Sequence, residues 1–222
     1  MELLTNIETK KITKETYEYI SKLGLYKETI LKCSDFLIMQ LDYIVRSNME
    51  NVHKVIREIN NLEKNNDYSR TKPAKKFKNP PLKGLYHKHY EGTGLESLKI
   101  NIQNQLNTNE KKHKKALPNF EHWLKEYVKN NKGNKEYFDK EDYFNISHEF
   151  AKQLINDSFN QKARNKTITG HWIIYARHNN ENYYLCLSRH SNLKDDDLII
   201  RNKIDETCTN KFPFLKKILS PL

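Results

Sequence analysis

Histidine and arginine side chains cluster in one short stretch near the C-terminal end of the sequence. The stretch reads GHWIIYARHNNENYYLCLSRH and contains His171, Arg177, His178, Arg189 and His190 among apolar residues. RNA cleavage without a metal needs a group that deprotonates the 2′-hydroxyl, a group that protonates the leaving 5′-oxygen, and cations that stabilise the transition state. Imidazole and guanidinium groups can supply all three near neutral pH. The alternative is that each histidine is an ordinary exposed or hydrogen-bonded strand residue.

The same stretch predicts a β-hairpin. Residues 167–178 and 183–190 are rich in β-branched and aromatic residues, and the polar run from Asn179 to Asn182 between them is typical of a tight turn. Because side chains alternate along a strand, we expect one face to carry His171, Ile173, Tyr175 and Arg177, and the other Trp172, Ile174, Ala176 and His178. The cationic side chains are therefore predicted to lie on both faces.

The order of residues in this hairpin resembles the closing hairpin of RelE-like ribonuclease toxins. The similarity lies in Gly170–Tyr175, a short polar turn, Tyr183–Leu187, the pair Arg189-His190, and an acidic, helix-like tail. The resemblance implies a small antiparallel sheet packed on helices, with an RNA-cleaving face that includes the end of the second strand. It is confined to the hairpin region, and the long N-terminal part of the sequence lies outside it.

Residues 70–90 concentrate positive charge. They include seven Lys or Arg, two His and three Pro, and no acidic residue. Because the prolines exclude a regular helix, we expect an extended connection lying over the surface. Lysines interleaved with aromatic residues suit phosphate contact and base stacking, and a solvated linker is the alternative. The predicted nucleic-acid-binding residues are Lys72, Lys75, Lys76, Lys78, Lys83, Tyr86 and Lys88.

Within that segment, His87-Lys88-His89 forms a His-x-His pattern. Two histidines at this spacing on an extended chain point the same way, which is a common beginning of a metal site. However, Lys88 between them would oppose a dication, and no Cys/His or carboxylate motif lies nearby. The remaining interpretations are surface histidines, or a histidine that joins the hairpin as acid or base. We favour the last and expect no metal and no cofactor.

Composition indicates a basic, folded protein. The 222 residues include 39 Lys or Arg and 28 Asp or Glu, a formal net charge of +11, which favours a polyanionic partner such as nucleic acid or an anionic membrane. An incidental origin in an AT-rich genome, which enriches Lys, Asn and Ile, is the alternative. The 13 Tyr, 9 Phe and 2 Trp are enough to build a core. We expect RNA as partner and no membrane association.

Apolar residues recur at helical spacing through much of the sequence. From Lys27 to Lys64 they predict one long helix, and a shorter helix from Lys14 to Leu23 ending at Gly24 would complete a helical hairpin. Such a hairpin is either a scaffold or a partner-binding coil. Further helices are predicted over 94–106, 119–130, from the N-cap Ser147 to Arg164, and over 195–206, with a loop over 130–142.

These elements predict an α+β protein, with a helical N-terminal region followed by a small antiparallel sheet packed on helices. The expected divisions are a helical hairpin region over 1–66, a basic Pro-containing connection over 67–93, and an α+β domain with the C-terminal hairpin over 94–222.

Several function classes are disfavoured by the absence of their motifs. The sequence has no GxxxxGK[ST], GxGxxG, GxSxG or HExxH pattern, which argues against P-loop NTPases, dinucleotide enzymes, α/β-hydrolases and zincins. Three cysteines without a CxxC pair indicate a reducing compartment and no thiolate zinc site. The first residues lack the features of a signal peptide, so we expect a cytoplasmic location.

The preferred hypothesis is a metal-independent endoribonuclease of toxin or defence type, with a neutralising protein partner as a further expectation. Arg189 and His190 would stabilise charge and donate a proton, and His171 or one of His87 and His89 would be the base. This hypothesis requires the cationic ends of the hairpin and the basic segment to converge on one cleft. The alternatives are a non-catalytic nucleic-acid-binding protein that uses residues 70–90, and a protein-interaction module built on the long helix.

Overall fold

The structure, a computed structural model, confirms the α+β class. It describes residues 12–48, 50–64, 68–93, 95–112, 114, 117–131, 133, 137–189 and 194–219. N-terminal helices precede a four-stranded antiparallel sheet.

The chain divides into two compact units, and the division differs from the expected one. The sheet unit comprises the described residues of Met1–Gly94 and Thr169–Leu222, and the helical unit comprises those of Leu95–Ile168. The expected boundary at 66/67 falls inside the sheet unit, because the basic segment supplies two strands of the sheet. Only the boundary after residue 93 lies close to an observed one.

The predicted single helix over 27–64 is wrong. Ser34 accepts a hydrogen bond from the N–H of Leu37, Asn48 is in the left-handed region with φ 52°, and Asn51 caps the next helix through the N–H of His53. These polar residues satisfy helix ends and break the apolar period into separate helices. The N-terminal helices are α1 (Lys14–Lys22), α2 (Lys27–Leu31), α3 (Asp35–Ser47) and α4 (Val52–Glu63).

The sheet contains the predicted hairpin and, beside it, the basic segment. Its strands, in spatial order, are β1 (Lys75–Lys76), β2 (Tyr86–Tyr90), β3 (His171–His178) and β4 (Glu181–Ser188). The turn between β3 and β4 is Asn179-Asn180, both at positive φ, as a two-residue hairpin turn requires. The expectation that residues 70–90 only cross the surface is corrected, because β2 pairs with β3 along its whole length.

Both faces of the sheet are covered. One face packs on α1–α4, and the other packs on α9 (Lys194–Thr207) and the C-terminal α10 (Leu215–Ile218). A bulge between Ile174 and Tyr175 places both Leu185 and Cys186 in the second core. Because aliphatic and aromatic side chains fill the centre of each face, polar chemistry is left to the ends and edges of the sheet.

The outer edge of β4 is occupied by the polypeptide around the start of α3. The N–H of Ser34 donates to the Tyr184 carbonyl at 2.8 Å, and the N–H of Tyr184 donates to the Lys32 carbonyl at 2.8 Å. The Gln40 amide then donates to the Leu187 carbonyl at 3.0 Å and accepts from its N–H at 2.7 Å. These bonds satisfy the edge and block the addition of another strand there.

The helical unit contains α5 (Leu95–Lys111), α6 (Pro118–Asn131), α7 (Lys140–Leu154), a π-helical segment (Ile155–Asn160) and α8 (Gln161–Arg164). The predicted start at Ser147 is wrong. Asp139 accepts hydrogen bonds from the N–H groups of Glu141 and Asp142, and the Asp142 carboxylate accepts from the Asp139 N–H. This capping box begins the helix at Lys140.

Gly170 lies immediately before β3 and against the end of β2, which leads to a stability prediction. A Cβ at this position would lie 1.8 Å from the carbonyl oxygen of Tyr90, so Gly170→Ala must push the two strands apart. We expect a loss of roughly 3 kcal/mol, the upper range for overpacking, measured by urea unfolding. Gly24→Ala is the control, because Gly24 has open space and only its positive φ opposes the substitution. Equal losses in the two variants would contradict the close contact.

Candidate active site and nucleic-acid interface

The sheet separates the predicted catalytic residues into two groups. His171 begins β3 and Arg177 nearly ends it, a separation of roughly 20 Å at about 3.3 Å per residue. Arg189 follows the last residue of β4, which pairs with Trp172, so Arg189 lies at the same end as His171. We call this end of the sheet the histidine end. The expected convergence of all the cationic groups on one cleft is therefore wrong, and His190 lies outside the described residues.

His171 pairs with a carboxylate at the histidine end. Its Nε2 lies 3.1 Å from Oε1 of Glu50, and both side chains are largely buried, with 20% and 12% exposed. The second oxygen of Glu50 accepts a hydrogen bond from the N–H of Thr93 at 3.0 Å, so the carboxylate is held on both sides. When Nε2–H donates to Glu50, Nδ1 is the nitrogen that can take up a proton.

Glu50 is a candidate functional residue that the sequence reasoning missed. It lies between α3 and α4, immediately before the N-cap Asn51, where no catalytic motif marks it. The loop after β2 brings Thr93 to the same place, because the N–H of Asn51 donates to the Thr93 hydroxyl at 3.1 Å. Only this tertiary contact identifies Glu50 as the partner of His171.

Tyr90 and Arg189 complete the histidine end. The Tyr90 ring packs against the His171 ring, with centroids 5.6 Å apart, and Tyr90 is fully buried. Burial raises the pKa of the Tyr90 hydroxyl well above its usual value; Glu50 raises it further and the positive charge of Arg189 lowers it. Tyr90 is therefore a neutral side chain that lines the site. The Arg189 guanidinium is close enough to act electrostatically on the Tyr90 hydroxyl.

His87 and His89 lie on the opposite face of the sheet from His171. The expectation that the two point the same way is confirmed, because both pack against Trp172, with ring centroids 5.0 and 6.3 Å from it. His89 is buried, and its Nδ1 lies 3.0 Å from the carbonyl oxygen of Gly170. The segment does lie beside the hairpin, because β2 pairs with β3, but both histidines face away from His171, and the acid or base role expected of one of them stays a prediction.

Arg177 and His178 occupy the far end of β3. The His178 ring stacks on Phe214, with centroids 4.3 Å apart and planes 3° apart, which is a packing contact with the C-terminal tail. The Arg177 guanidinium lies 4.9 Å from the centroid of the Tyr86 ring. Neither side chain is near His171, so the structure does not bring them into the group at the histidine end.

Lys88 is the one predicted phosphate-binding lysine that is buried. Its ammonium lies 3.2 Å from a carboxylate oxygen of the fully buried Glu58, and it donates to the Ser69 hydroxyl at 2.7 Å and the Lys72 carbonyl at 2.9 Å. Burial lowers the pKa of Lys88, and the charge of Glu58 opposes that change. Lys88 holds the segment before β1 on the sheet, and its buried ammonium is not placed for the predicted contact with a surface phosphate.

The other cations of the basic segment form an open row, which we call the basic edge. It begins at Arg70 and passes beside the outer edge of β2, where the Thr71 hydroxyl donates to the His89 carbonyl at 2.6 Å and Lys76 pairs with Tyr86. It continues into the connection between β1 and β2. Burial and repulsion by Lys75 lower the pKa of Lys72, as expected where positive charges crowd together. The members of the basic edge are Arg70, Lys72, Lys75, Lys76, Lys78 and Lys83, all exposed except the half-buried Lys72.

The three cysteines are buried, and the described residues contain no cluster of metal-ligating side chains. Cys33, Cys186 and Cys208 are buried, and burial raises the pKa of the Cys33 thiol to about 12 and that of the other two as well. Such thiols are poor nucleophiles. In the same ranges, no three His, Cys, Asp or Glu side chains are grouped so as to hold a metal ion.

No family model, curated protein or solved structure matches this chain. Within the described ranges, the helices are too short or too polar to cross a membrane. The similarity to RelE-like toxins thus remains a hypothesis drawn from the hairpin residues.

Proposed function

We propose that the protein is an RNA-directed, metal-independent endoribonuclease whose proton-transfer group is His171. The observation that carries this proposal is the 3.1 Å contact between His171 and Glu50 at the end of the sheet. A carboxylate that holds one imidazole nitrogen sets the tautomer and orientation of the ring, which leaves the other nitrogen for the substrate. Arg189, at the same end, supplies positive charge for a phosphate.

The reaction that fits these groups is an internal transfer at phosphorus. The ribose 2′-oxygen attacks the adjacent phosphorus while Nδ1 of His171 takes the hydroxyl proton. The bond from phosphorus to the 5′-oxygen then breaks, and the imidazolium returns the proton to that leaving oxygen. Arg189 stabilises the extra negative charge on the phosphorane. The products are a 2′,3′-cyclic phosphate and a free 5′-hydroxyl, and neither water nor a metal is consumed.

Incubation of the purified protein with RNA in EDTA tests this proposal. We expect cleavage products that carry cyclic phosphate ends, identified by mass spectrometry. Intact RNA after prolonged incubation, with tight and salt-sensitive binding, would overturn cleavage and favour a second candidate function, non-catalytic RNA binding. That candidate is favoured by the basic edge, which is exposed independently of His171. A binding constant that does not change with salt would contradict both.

The basic edge leads to a prediction about the salt dependence of binding. Replacing Lys75, Lys76 and Lys78 together by alanine removes three exposed cations. Because each phosphate contact on a single strand contributes about 0.7 to the slope of log K against log salt, we expect the slope to become shallower by about 2. The control replaces Lys22, Lys216 and Lys217, which are exposed elsewhere in the sheet unit. Equal changes in both triple variants would show that RNA does not prefer the basic edge.

A toxin or defence role belongs to the same proposal. Uncontrolled cleavage of cytoplasmic RNA would harm the cell that makes the enzyme, which is why a neutralising protein partner is part of the hypothesis. Induced expression should slow bacterial growth, and His171→Ala should relieve the effect. Growth inhibition that persists with His171→Ala would separate toxicity from RNA cleavage.

A further inference from the structure

Aromatic and cationic side chains form a layered cluster at the end of the sheet opposite to the histidine end. The Tyr86 ring stacks on the Tyr175 ring, with centroids 5.5 Å apart and planes 28° apart. The Arg177 guanidinium lies 4.9 Å from the Tyr86 centroid, and the Lys76 ammonium lies 5.7 Å from it. We call these four residues the Tyr86 stack.

The base of the Tyr86 stack is held firmly, whereas its cations face solvent. Tyr175 is fully buried, and burial raises the pKa of its hydroxyl, while the positive charge of Arg177 lowers it. Arg177 is exposed, and its Nε donates to the Asn182 side chain at 3.3 Å. Asn182 in turn donates to Glu63 at 3.3 Å. The guanidinium plane is thereby oriented before any ligand arrives.

The charge around the Tyr86 stack suits an anion. Lys76 belongs to the basic edge, and Lys75 and Lys78 beside it are exposed. The neighbouring carboxylates of Glu63 and Glu181 are paired with Lys32, at 2.6 and 3.6 Å. Their charge is therefore partly compensated, and the surface around Arg177 remains positive.

We propose that the Tyr86 stack binds an unpaired base of single-stranded RNA, with the flat guanidinium of Arg177 as the stacking surface. This inference rests on the proposed RNA-directed function. Bases in a duplex are stacked on each other and offer side chains only their edges, whereas unpaired bases can lie on aromatic rings or guanidinium planes. The basic edge would hold the phosphates that connect the stacked base to the rest of the strand.

The position of the Tyr86 stack separates it from the cleavage chemistry. Arg177 lies roughly 20 Å along β3 from His171, too far to contact the same phosphate. Arg177 is therefore assigned to substrate selection, in place of the catalytic role that the sequence predicts. Single-stranded RNA long enough to contact both ends should be the preferred substrate class.

The test compares single-stranded RNA with a duplex of the same sequence by fluorescence anisotropy, with both RNAs 2′-O-methylated so that the proposed attack by the 2′-hydroxyl cannot occur. The key variant is Arg177→Lys, which keeps the charge and removes the guanidinium plane. We expect single-strand affinity to fall about 5- to 100-fold, as for the loss of one stacked base, with duplex affinity and the salt slope unchanged. Arg46→Lys is the matched control, because Arg46 is an exposed arginine of α3, outside the basic edge, that contacts Asp42 at 2.7 Å.

The outcomes distinguish this inference from the proposed function. If the wild-type protein binds both forms equally, or if Arg177→Lys lowers both affinities alike, the Tyr86 stack is not a base-binding site, although RNA binding stands. If the wild-type protein binds neither form, both proposals are wrong. Tyr86→Leu provides a second variant that keeps an apolar contact with Tyr175, and its thermal unfolding midpoint shows whether it is folded.

Discussion

The variant His171→Ala is expected to slow RNA cleavage by about 10²- to 10⁴-fold, the usual contribution of a general acid–base group. Removing the imidazole leaves Glu50 and Arg189 in place but eliminates the nitrogen that accepts the 2′-hydroxyl proton. RNA binding should be almost unchanged, because the basic edge lies on a different part of the sheet unit. Single-turnover cleavage with saturating protein, in EDTA, measures the chemical step separately from binding.

Control variants determine whether the loss of cleavage rate arises from a change at the histidine end. His53→Ala removes an exposed histidine from α4 and should retain the full rate. Glu50→Gln keeps the size of the side chain, but its amide no longer imposes one tautomer on the imidazole, so an intermediate rate is expected. Full activity in both His171→Ala and Arg189→Ala would show that cleavage occurs elsewhere on the protein.

The variant Lys88→Ala is expected to lower the free energy of unfolding by about 3–5 kcal/mol, as when one partner of a buried ion pair is removed. Glu58 is fully buried and its carboxylate lies 3.2 Å from the Lys88 ammonium. Without that ammonium, the buried Glu58 carboxylate is left with the more distant and exposed Arg57 guanidinium at 3.9 Å, and the hydrogen bonds to Ser69 and Lys72 are also lost. Urea unfolding measures the change through the shift of the midpoint.

Two comparisons separate this structural role from a contact with RNA. The double variant Lys88→Met with Glu58→Met replaces both charges by apolar groups and should recover most of the stability, because neither charge is then left alone. Lys83→Ala, at an exposed position of the same segment, should change stability by at most about 0.5 kcal/mol. A normally stable Lys88→Ala variant with weakened RNA binding would reinstate the role that the sequence predicts for Lys88.

The double-sided packing of the sheet explains where the candidate functional groups lie. Helices cover both faces, so Ile173 and Ile174 are completely buried at the centre of β3. Hydrogen bonds from Ser34 and Gln40 occupy the outer edge of β4. The histidine end, the basic edge and the Tyr86 stack occupy the remaining periphery of this sheet.

Local sequence patterns predicted the elements that are held together by contacts between residues close to each other in the chain. The hairpin was predictable because alternating strand residues flank an Asn-rich turn, and the opposite faces of Trp172 and His171 follow from the same alternation. The prediction of one helix over 27–64 was wrong because the apolar period continues through Ser34 and Asn51. At these positions, capping side chains begin new helices. A short apolar repeat cannot reveal such breaks when core packing continues across them.

By itself, the sequence determined the α+β class, the hairpin, the common face of His87 and His89, and the concentration of charge before β2. Tertiary structure alone decided that β2 pairs with β3 and that Glu50 contacts His171. It also decided that the buried Lys88 forms an ion pair with Glu58, and that Arg177 lies over the Tyr86 ring. The physical reason is the separation in sequence between the residues that interact. Strand alternation and turn preference act between near neighbours, whereas these pairings join residues far apart in the chain, whose partners are selected by the packing of the whole sheet unit.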